Sequence, residues 1–517
     1  IQDGTLTVSA EPVTRKKTWF SLADTSWYSG DRAEYEIQSP EQLAGLALLV
    51  NSGTDFSGVT LRLTQDISLA NTDGTKAVRE WSAIGSGSAN AFKGIFDGNG
   101  HIVSEMTAVS GGSYSGLFGY CRGAVIRNVT VKGSSTAQGS AAGVAGHLNG
   151  GVVTGCTSRV QVNSTGQYAA GIASGISDGA TISKCVNYGD ISGTSSVAGI
   201  AGGSAQMTDQ ISDCVNYGAI SGSSSLSGGT GGVAGLLGGK VIRCANYGKV
   251  TGNGWYTGGL VGHSGSADTN TLETSVVRDS YNQGEILSDN QTASAAVGGL
   301  VGYAQYLNMD NCYNTGTVTL SSAGSSYKGS VAGRFYRSVY NRIDHTAVLS
   351  GSCDRVMDVD DSDLDYVQVN VLFAEEMGTA DYCAGMNNYA GDSVFTTDRF
   401  PVFLHLKQNQ LCTVRFTGDL TGSQQVRAGD PVALPQAPDG YTCSFTVNGI
   451  PWNGNTVTGD TTVVVTRSQA WYTVSFYADG RLISEQPYQK GSASVEEPAI
   501  PQKAGYSAHW PAYSLNG

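Results

Sequence analysis

The residues of this chain that could do chemistry are a series of evenly spaced cysteines and two groups of aspartates. Cys156, Cys185, Cys214 and Cys244 are 29, 29 and 30 residues apart. A catalytic motif is normally built once, so a cysteine that recurs at a fixed period indicates a repeated structure rather than a site or a disulfide framework. Free cysteine packs as a small hydrophobe, and we expect these thiols to stack in a core.

The acidic stretch DRVMDVDDSDLDY offers a possible calcium site. Asp361, Asp363 and Asp365 place carboxylates at every second residue, as a calcium-binding loop does. Tyr366 stands where an EF-hand needs glycine, and Leu372 stands where it needs a bidentate glutamate, so the spacing excludes an EF-hand. Two alternatives remain, a looser calcium site and a solvated acidic loop. We predict no other metal or cofactor.

The evenly spaced cysteines belong to a repeat of 28 to 36 residues that has two halves. The first half is a stripe of small residues, such as VAGIAGG from Val197, and the second resembles ISKCVNYG from Ile182. Each half is typical of a short strand. Such strands cannot bury their apolar faces alone, but they can by stacking in register on the next copy. The sequence therefore predicts an all-β fold, a parallel β-helix, which the crossover rule makes right-handed.

Stacking places equivalent side chains about 4.8 Å apart, in columns along the solenoid. One column is expected to form an inward asparagine ladder in which each amide bonds the next: Asn187, Asn216, Asn246, Asn282 and Asn314. The glycine two residues after each asparagine is expected to supply a positive φ at the turn: Gly189, Gly218, Gly248, Gly284 and Gly316.

The column before the cysteine is expected to point outward, and it contains Lys184, Asp213, Arg243, Asp279 and Asn311. Asp213 and Asp279 would lie roughly 9 to 10 Å apart, near the upper limit for the carboxylates of an inverting glycosidase. Arg243 would lie between them and keep both ionised, which is wrong for a general acid. We therefore predict no catalytic residue, and keep this pair only as a weak alternative to a neutralised surface ladder.

The GLVGY-type stripes, alternating with NCYNTG-type strands, resemble the GLUG-motif repeats of bacterial cell-surface proteins. The resemblance covers roughly residues 34–406 and implies a β-helix with both ends capped. A helix from Pro40 to Val50, with an apolar face, is expected to cover one end. The segment from Leu372 to Leu406 resembles the closing part of such proteins, a short helix and a final strand that cover the other end. Residues 1–33 form an N-terminal extension.

Two units after the solenoid, residues 411–468 and 471–517, resemble the small β-grasp-like repeats of Listeria–Bacteroides type, which are common spacers in surface proteins of Gram-positive and gut bacteria. The second unit is shorter than the first, so we expect the natural protein to continue beyond Gly517. Cys412 and Cys443 fall in the same unit, and whether they pair is left open.

The net charge is −13 and the isoelectric point about 4.9, with scattered Lys and Arg, so nucleic acid is an unfavourable partner. No run of eighteen apolar residues occurs, and no membrane insertion is predicted for this segment. The first residue is Ile1 rather than Met, as in a mature secreted protein. We expect an extracellular protein, attached to the cell surface through a region beyond this chain.

Aromatic residues in loops beside the last repeats are the predicted ligand-binding residues: Trp255, Tyr256, Tyr303, Tyr306 and Tyr327. Exposed rings with a few polar groups commonly bind sugars and peptides, although these rings could instead pack the caps. His147 and His263 are expected to share one column, several repeats apart, which makes a shared metal improbable.

The predicted function is adhesion, with a host or dietary glycan or a host surface protein as the partner. The alternative is a polysaccharide-active enzyme, a glycoside hydrolase or lyase, with an exterior groove, because parallel β-helices host both; fold analogy alone does not decide between them. A purely mechanical spacer is a third possibility.

Overall fold

The computed structural model describes residues 17–70, 79–204, 206–223, 228–265, 274–290, 294–321, 327–336, 341–359, 367–403, 411–427, 432–447, 449–452, 461–490, 492, 494–502, 507, 509–511 and 515. The chain divides into two compact units. The first contains the residues up to Asp392 together with Arg399–Pro401, and the second contains Ser393–Asp398 and the residues from Val402 onward. No helix in these described ranges is long and apolar enough to cross a membrane.

The first unit is a parallel β-solenoid of about nine turns, as predicted. Its strands form three sheets, A, B and C, and every strand pairs in parallel with its equivalent on the next turn.

Sheet A has 26 strands. They are Glu34–Ile37, Thr60–Leu63, Ile67–Ser68, Ile95–Asp97, Ile102–Ser110, Val125–Arg127, Thr130–Ala137, Val152–Thr154, Thr157–Ser164, Thr181–Ser183, Val186–Asn187, Ile191–Gly193, Gln210–Ser212, Val215–Asn216, Ile220–Gly222, Lys240–Ile242, Ala245–Asn246, Val250–Gly252, Ser275–Arg278, Tyr281–Asn282, Ile286–Ser288, Leu307–Asp310, Tyr313–Asn314, Val318–Leu320, Arg342–Leu349 and Val367–Leu372.

Sheets B and C have eight and nine strands. Sheet B contains Tyr114–Ser115, Ser140–Ala142, Tyr168–Ala170, Ser196–Ala198, Thr230–Gly231, Tyr256–Gly258, Ala296–Gly298 and Tyr327–Gly329. Sheet C contains Phe118–Arg122, Ala145–Asn149, Ala173–Ser177, Ala201–Ser204, Ala234–Leu237, Val261–Ser264, Val301–Ala304, Ala332–Phe335 and Met357–Val359.

A single turn contains more strands than the two predicted. The stripe VAGIAGG is not one strand, because the backbone bends at Gly199 and Ile200 and divides it between Ser196–Ala198 of sheet B and Ala201–Ser204 of sheet C. The second half is also divided, into three short strands of sheet A. Small residues permit a sharp bend as readily as a strand, which is why their alternation alone did not locate it.

The core consists of the inward side chains of all three sheets. The thiols of the repeated cysteines stack within it, as predicted, with Cys156, Cys185, Cys214 and Cys244 fully buried and unpaired. Burial and the neighbouring thiols raise the pKa of Cys214, so this thiol stays neutral. The cysteine column therefore packs the core, where its fully buried thiols are out of reach of solvent.

The predicted N-terminal helix is present as α1, Pro40–Asn51, after a short 3₁₀ helix at Trp19–Leu22. The hydroxyl of Ser39 accepts a hydrogen bond from the amide of Gln42 and caps the helix. Leu43 and Leu46 are fully buried in the solenoid core. This arrangement agrees with the expected capping role of the apolar face.

The asparagine ladder is confirmed. The side-chain Nδ2 of each of the first four asparagines donates to the Oδ1 of the next at 2.8 Å, and all five residues are fully buried. Each Nδ2 also donates to the carbonyl of the glycine two residues later, at 2.8–3.0 Å. Every side-chain amide thus donates a hydrogen bond within the turn of its own repeat, and the ladder bonds join each repeat to the next one.

The predicted reason for the ladder glycines was wrong. Positive φ occurs not at these glycines but at the column before the cysteine: Lys184, Asp213, Arg243, Asp279 and Asn311, with φ between 51° and 55°. The glycines are required because the previous repeat approaches too closely. A Cβ on Gly218 would lie 2.0 Å from the carbonyl oxygen of Gly189.

The C-terminal closing segment contains α2, Ala374–Met377, and α3, Ala380–Ala390. The prediction placed this helix over the open end of the solenoid, but α3 lies against the outer face of the last turns. Asn311 donates to the carbonyl of Met386 at 2.9 Å, and the ring of Tyr389 stacks on His345, with centroids 3.8 Å apart. Both contacts are made by outward residues of sheet A, and therefore α3 covers a side of the stack.

The second unit is built from β-strands. Its main sheet has five strands, Leu411–Gly418, Gly422–Arg427, Tyr441–Val447, Ile450–Pro451 and Thr461–Gln469. Phe395–Thr396 pairs with Val402–Phe403, and Trp471–Ala478 forms a hairpin with Arg481–Gln489. The β-grasp resemblance stays a prediction. Cys443 is a free thiol, and the strand Thr461–Gln469 separates it from the strand of Cys412, whose side chain lies outside the described residues.

Candidate functional site

The bend between sheets B and C positions the candidate site. On its inner side, one glycine of each turn contacts the asparagine ladder so closely that a Cβ would lie 2.2–2.4 Å from the amide side chain. The glycines are Gly171, Gly199, Gly232, Gly259 and Gly299. No other residue fits, because any side chain would displace a fully buried amide that is bonded on both sides. The bend therefore points inward, toward the asparagine ladder of sheet A.

Because the bend points inward, outward side chains on its two sides converge. We call the two outward columns that flank the bend the seam. The sheet B column includes Tyr114, Ser140, Tyr168 and Ser196, and later Tyr256, Ala296 and Tyr327. The sheet C column contains Tyr120, His147, Gly175, Gly203, Leu236, His263, Tyr303 and Arg334. His147 and His263 thus share one column, as expected.

Aromatic rings and an arginine converge at the C-terminal end of the seam, and we call them the distal cluster: Tyr256, His263, Tyr303, Tyr327, Arg334 and Tyr336. Tyr256 stacks on Tyr303, with ring centroids 4.6 Å apart, and His263 lies 4.9 Å from Tyr256. The guanidinium carbon of Arg334 lies 4.4 Å from the centroid of Tyr327 and 5.8 Å from that of Tyr303. Cation–π contacts of this kind hold an arginine in place.

The distal cluster is partly removed from water. Tyr303 is 8% exposed and stacks on the half-buried ring of Tyr256, and the ring of Tyr327 is also half-buried. Burial raises the pKa of the Tyr256 phenol, and the charge of Arg334 opposes that shift. The phenol therefore remains protonated at neutral pH and can donate a hydrogen bond as well as accept one.

The structure brings most of the predicted ligand-binding residues together. Trp255 is 38% exposed and contacts Tyr256 edge-on, with centroids 6.1 Å apart, so it lies at the rim of the distal cluster. Tyr306 is different, because it is 5% exposed and offers little surface to a ligand. Residues 266–273, which follow the distal-cluster residue His263 along the chain, lie outside the described residues.

The predicted ligand-binding residues do not include Arg334, which interrupts the small-residue stripe SVAGRF that begins at Ser330. Its position in the stripe provides the signal, because it is the one that holds His263 and Tyr303 in the preceding turns. Replacement of a small residue at an outward column position indicates a surface function more readily than decay of the repeat.

The weak catalytic alternative does not form an accessible pair. Arg243 donates two hydrogen bonds to the carboxylate of Asp213, at 2.6 and 2.9 Å. Asp279 is 2% exposed and accepts a hydrogen bond from Asn311 at 2.6 Å. Burial raises the pKa of Asp279, but the same burial keeps substrate away from its carboxylate. Both aspartates are parts of the outer surface ladder.

The calcium alternative cannot be placed, because Asp361, Asp363 and Asp365 lie outside the described residues. Within the ranges that the structure does describe, no group of three His, Cys, Asp or Glu side chains is arranged to hold a metal ion.

Part of the chain is similar to a known protein family. Residues 293–319 match the family model of the GLUG motif, and this segment spans the stripe and strand of one turn. The chain is thus a parallel β-solenoid that carries a GLUG motif. No curated protein matches the chain. A solved structure of a candidate immunoglobulin A1 protease from Bacteroides ovatus is 16% identical, covers 72% of this chain and 92% of that chain, and has a TM-score of 0.41.

Proposed function

We propose that this protein is an exported bacterial surface protein and that it binds a glycan, free or on a host glycoprotein, at the distal cluster. The observation that carries the proposal is the stacking of Tyr256 on Tyr303 beside the exposed ring of Trp255. Rings present flat apolar faces and phenol hydroxyls, and sugars need both. The solenoid holds these rings on adjacent turns, and a rigid framework lowers the entropy cost of binding.

Arg334 extends the chemistry of this cluster. Its guanidinium is planar and presents several N–H donors, which suits carboxylate and sulfate groups as well as sugar hydroxyls. The contact with Tyr327 fixes the guanidinium against a ring, and an acidic sugar would find it already oriented.

A glycan array probed with the full chain, combined with a reducing-sugar release assay, tests the proposal. We expect binding without product, and loss of about fivefold in affinity for Tyr256→Ala, since one aromatic contact contributes about 1 kcal/mol. Tyr188→Ala is the matched control, because Tyr188 is 37% exposed but lies on sheet A, stacked on Tyr217. Release of reducing ends would favour the enzyme alternative and contradict adhesion. Absence of binding to any glycan would contradict both.

A further inference from the structure

A second aromatic cluster lies on the same seam, toward its N-terminal end. Tyr120 stacks on His147, with centroids 5.0 Å apart, and Tyr114 contacts the Tyr120 ring edge-on at 5.3 Å. The Nε2 atom of His147 lies 3.2 Å from the hydroxyl of Ser177. We call Tyr114, Tyr120, His147 and Tyr168 the proximal cluster.

The two clusters are built alike. Each has a histidine in the sheet C column, a largely buried tyrosine that supports it, and half-buried tyrosines from sheet B. In the proximal cluster the supporting ring is Tyr120, which is 9% exposed, and in the distal cluster it is Tyr303. The same two outward columns therefore form a similar surface twice, on turns whose other outward residues differ.

Between the two clusters, the seam carries smaller side chains. Its sheet C positions are Gly175, Gly203 and Leu236, and its nearest sheet B position is the small residue Ser196. Tyr168 lies over this part of the seam, since a Cβ on Gly203 would meet its ring at 2.7 Å. Four turns separate His147 from His263, which corresponds to about 19 Å along the stack.

Charge distinguishes the seam from the rest of the chain. The net charge is −13, yet the guanidinium of Arg122 lies 5.9 Å from the Tyr120 ring, and Arg334 lies among the distal rings. At the described positions of the two columns, from Tyr114 to Arg334, none is an aspartate or glutamate; Asp358 follows Arg334 in register at the C-terminal end. The seam thus has a cation at each end on an acidic protein.

We propose that the seam binds one extended anionic glycan, whose chain runs along the stack and contacts both clusters. This inference rests on the proposed function and gives it a ligand class. The spacing of turns, about 4.8 Å, is close to the length of one pyranose in an extended chain, so successive sugars meet successive turns. Carboxylate or sulfate groups lie near Arg122 and Arg334, while sugar faces contact the half-buried tyrosines.

Calorimetry with the full chain tests this, with hyaluronan and chondroitin sulfate oligosaccharides of increasing length as probes for the carboxylate and sulfate sources. Two linked contacts act with a high effective concentration, and we expect affinity to rise roughly hundredfold from the disaccharide to a chain that spans both clusters, then to level off. Affinity that does not depend on length overturns the proposal. Equal affinity for uncharged cello-oligosaccharides of the same lengths overturns it too.

Variants locate the contact. Tyr114→Ala should weaken the long chains about tenfold and the disaccharide less, because a disaccharide can still bind the distal cluster. Leu236→Glu places a carboxylate between the clusters and should also weaken long anionic chains, whereas Leu236→Gln, the neutral control of similar size, should have a smaller effect. Leu236 is half-exposed, so this pair remains informative if Tyr114→Ala fails to fold.

The two proposals fail in different ways. If disaccharides bind, Tyr256→Ala weakens that binding and chain length has no influence, only the extended-chain inference is wrong. If every glycan fails to bind the full chain, the proposed function is wrong as well, and this inference falls with it.

Discussion

The two sides of the bend between sheets B and C differ in how strictly they repeat. On the inner side, five successive turns present the same pair, a glycine pressed against an asparagine of the ladder. On the outer side, successive turns present Tyr120, His147, Gly175, Gly203 and Leu236 in one column. The same residue type recurs in every turn where it completes the hydrogen bonds of its neighbours. The residue type varies at outer positions, where water can make those hydrogen bonds. The seam is therefore the side on which function can be varied.

Breaking the ladder should have the largest effect. Asn246→Ala removes hydrogen bonds to Asn282 and to the carbonyl of Gly248 and leaves the amide of Asn216 without its ladder acceptor. Since these groups are buried, we expect a loss of about 3–5 kcal/mol in the free energy of unfolding. Urea unfolding followed by circular dichroism measures it. Asn253→Ala, on an exposed asparagine, is the control and should cost less than about 0.5 kcal/mol.

Crowding the bend from within should have the next largest effect. A Cβ on Gly259 would lie 2.0 Å from the carbonyl oxygen of Gly299 and 2.4 Å from Cγ of Asn282. Gly259→Ala must therefore displace backbone, and we expect destabilisation of about 2–3 kcal/mol. Gly111→Ala, at a site with no atom within 4 Å of the added Cβ, should be nearly neutral. Equal melting temperatures for the two variants would contradict an inward-pressed bend.

These inner features are also the ones that the sequence predicted best. The cysteine column and the asparagine ladder follow from a fixed period, because stacked copies must present compatible side chains to each other. The role of glycine did not follow, since composition cannot distinguish a glycine needed for positive φ from one needed for close approach. Gly218 is required for close approach, whereas Asp213, five residues earlier in the same turn, adopts the positive φ.

The candidate site was predicted only in part. Trp255, Tyr256, Tyr303 and Tyr327 stood out as aromatic residues beside the last repeats, and the structure brings them to one place. The proximal cluster was not predicted, because its residues lie on two sides of the bend and meet only across it. Without the position of the bend, no spacing along the chain shows that Tyr114 faces Tyr120.

The outer ladder before the cysteines allows a smaller test. Arg243 has a φ of 51°, a conformation that costs a side chain about 1 kcal/mol and glycine little. Arg243→Ala loses the ion pair with Asp213 and keeps the strain, whereas Arg243→Gly loses the pair and releases it. We expect Arg243→Gly to be the more stable of the two by about 1 kcal/mol, measured by thermal unfolding. The reverse order would contradict a strained outer column.

Substitution of the buried Asp279 should give the smallest effect, seen as a change in how stability depends on pH. Its folded-state pKa is raised, chiefly by burial, so between the unfolded value of 3.8 and that raised value the folded state binds more protons, and stability falls as pH rises. Asp279→Asn removes this dependence and can still accept from Asn311. Compared with wild type, the variant should gain stability from pH 3 to pH 7, measured by thermal unfolding at a series of pH values. A constant difference across that range would mean that the Asp279 carboxylate is solvated in the folded protein.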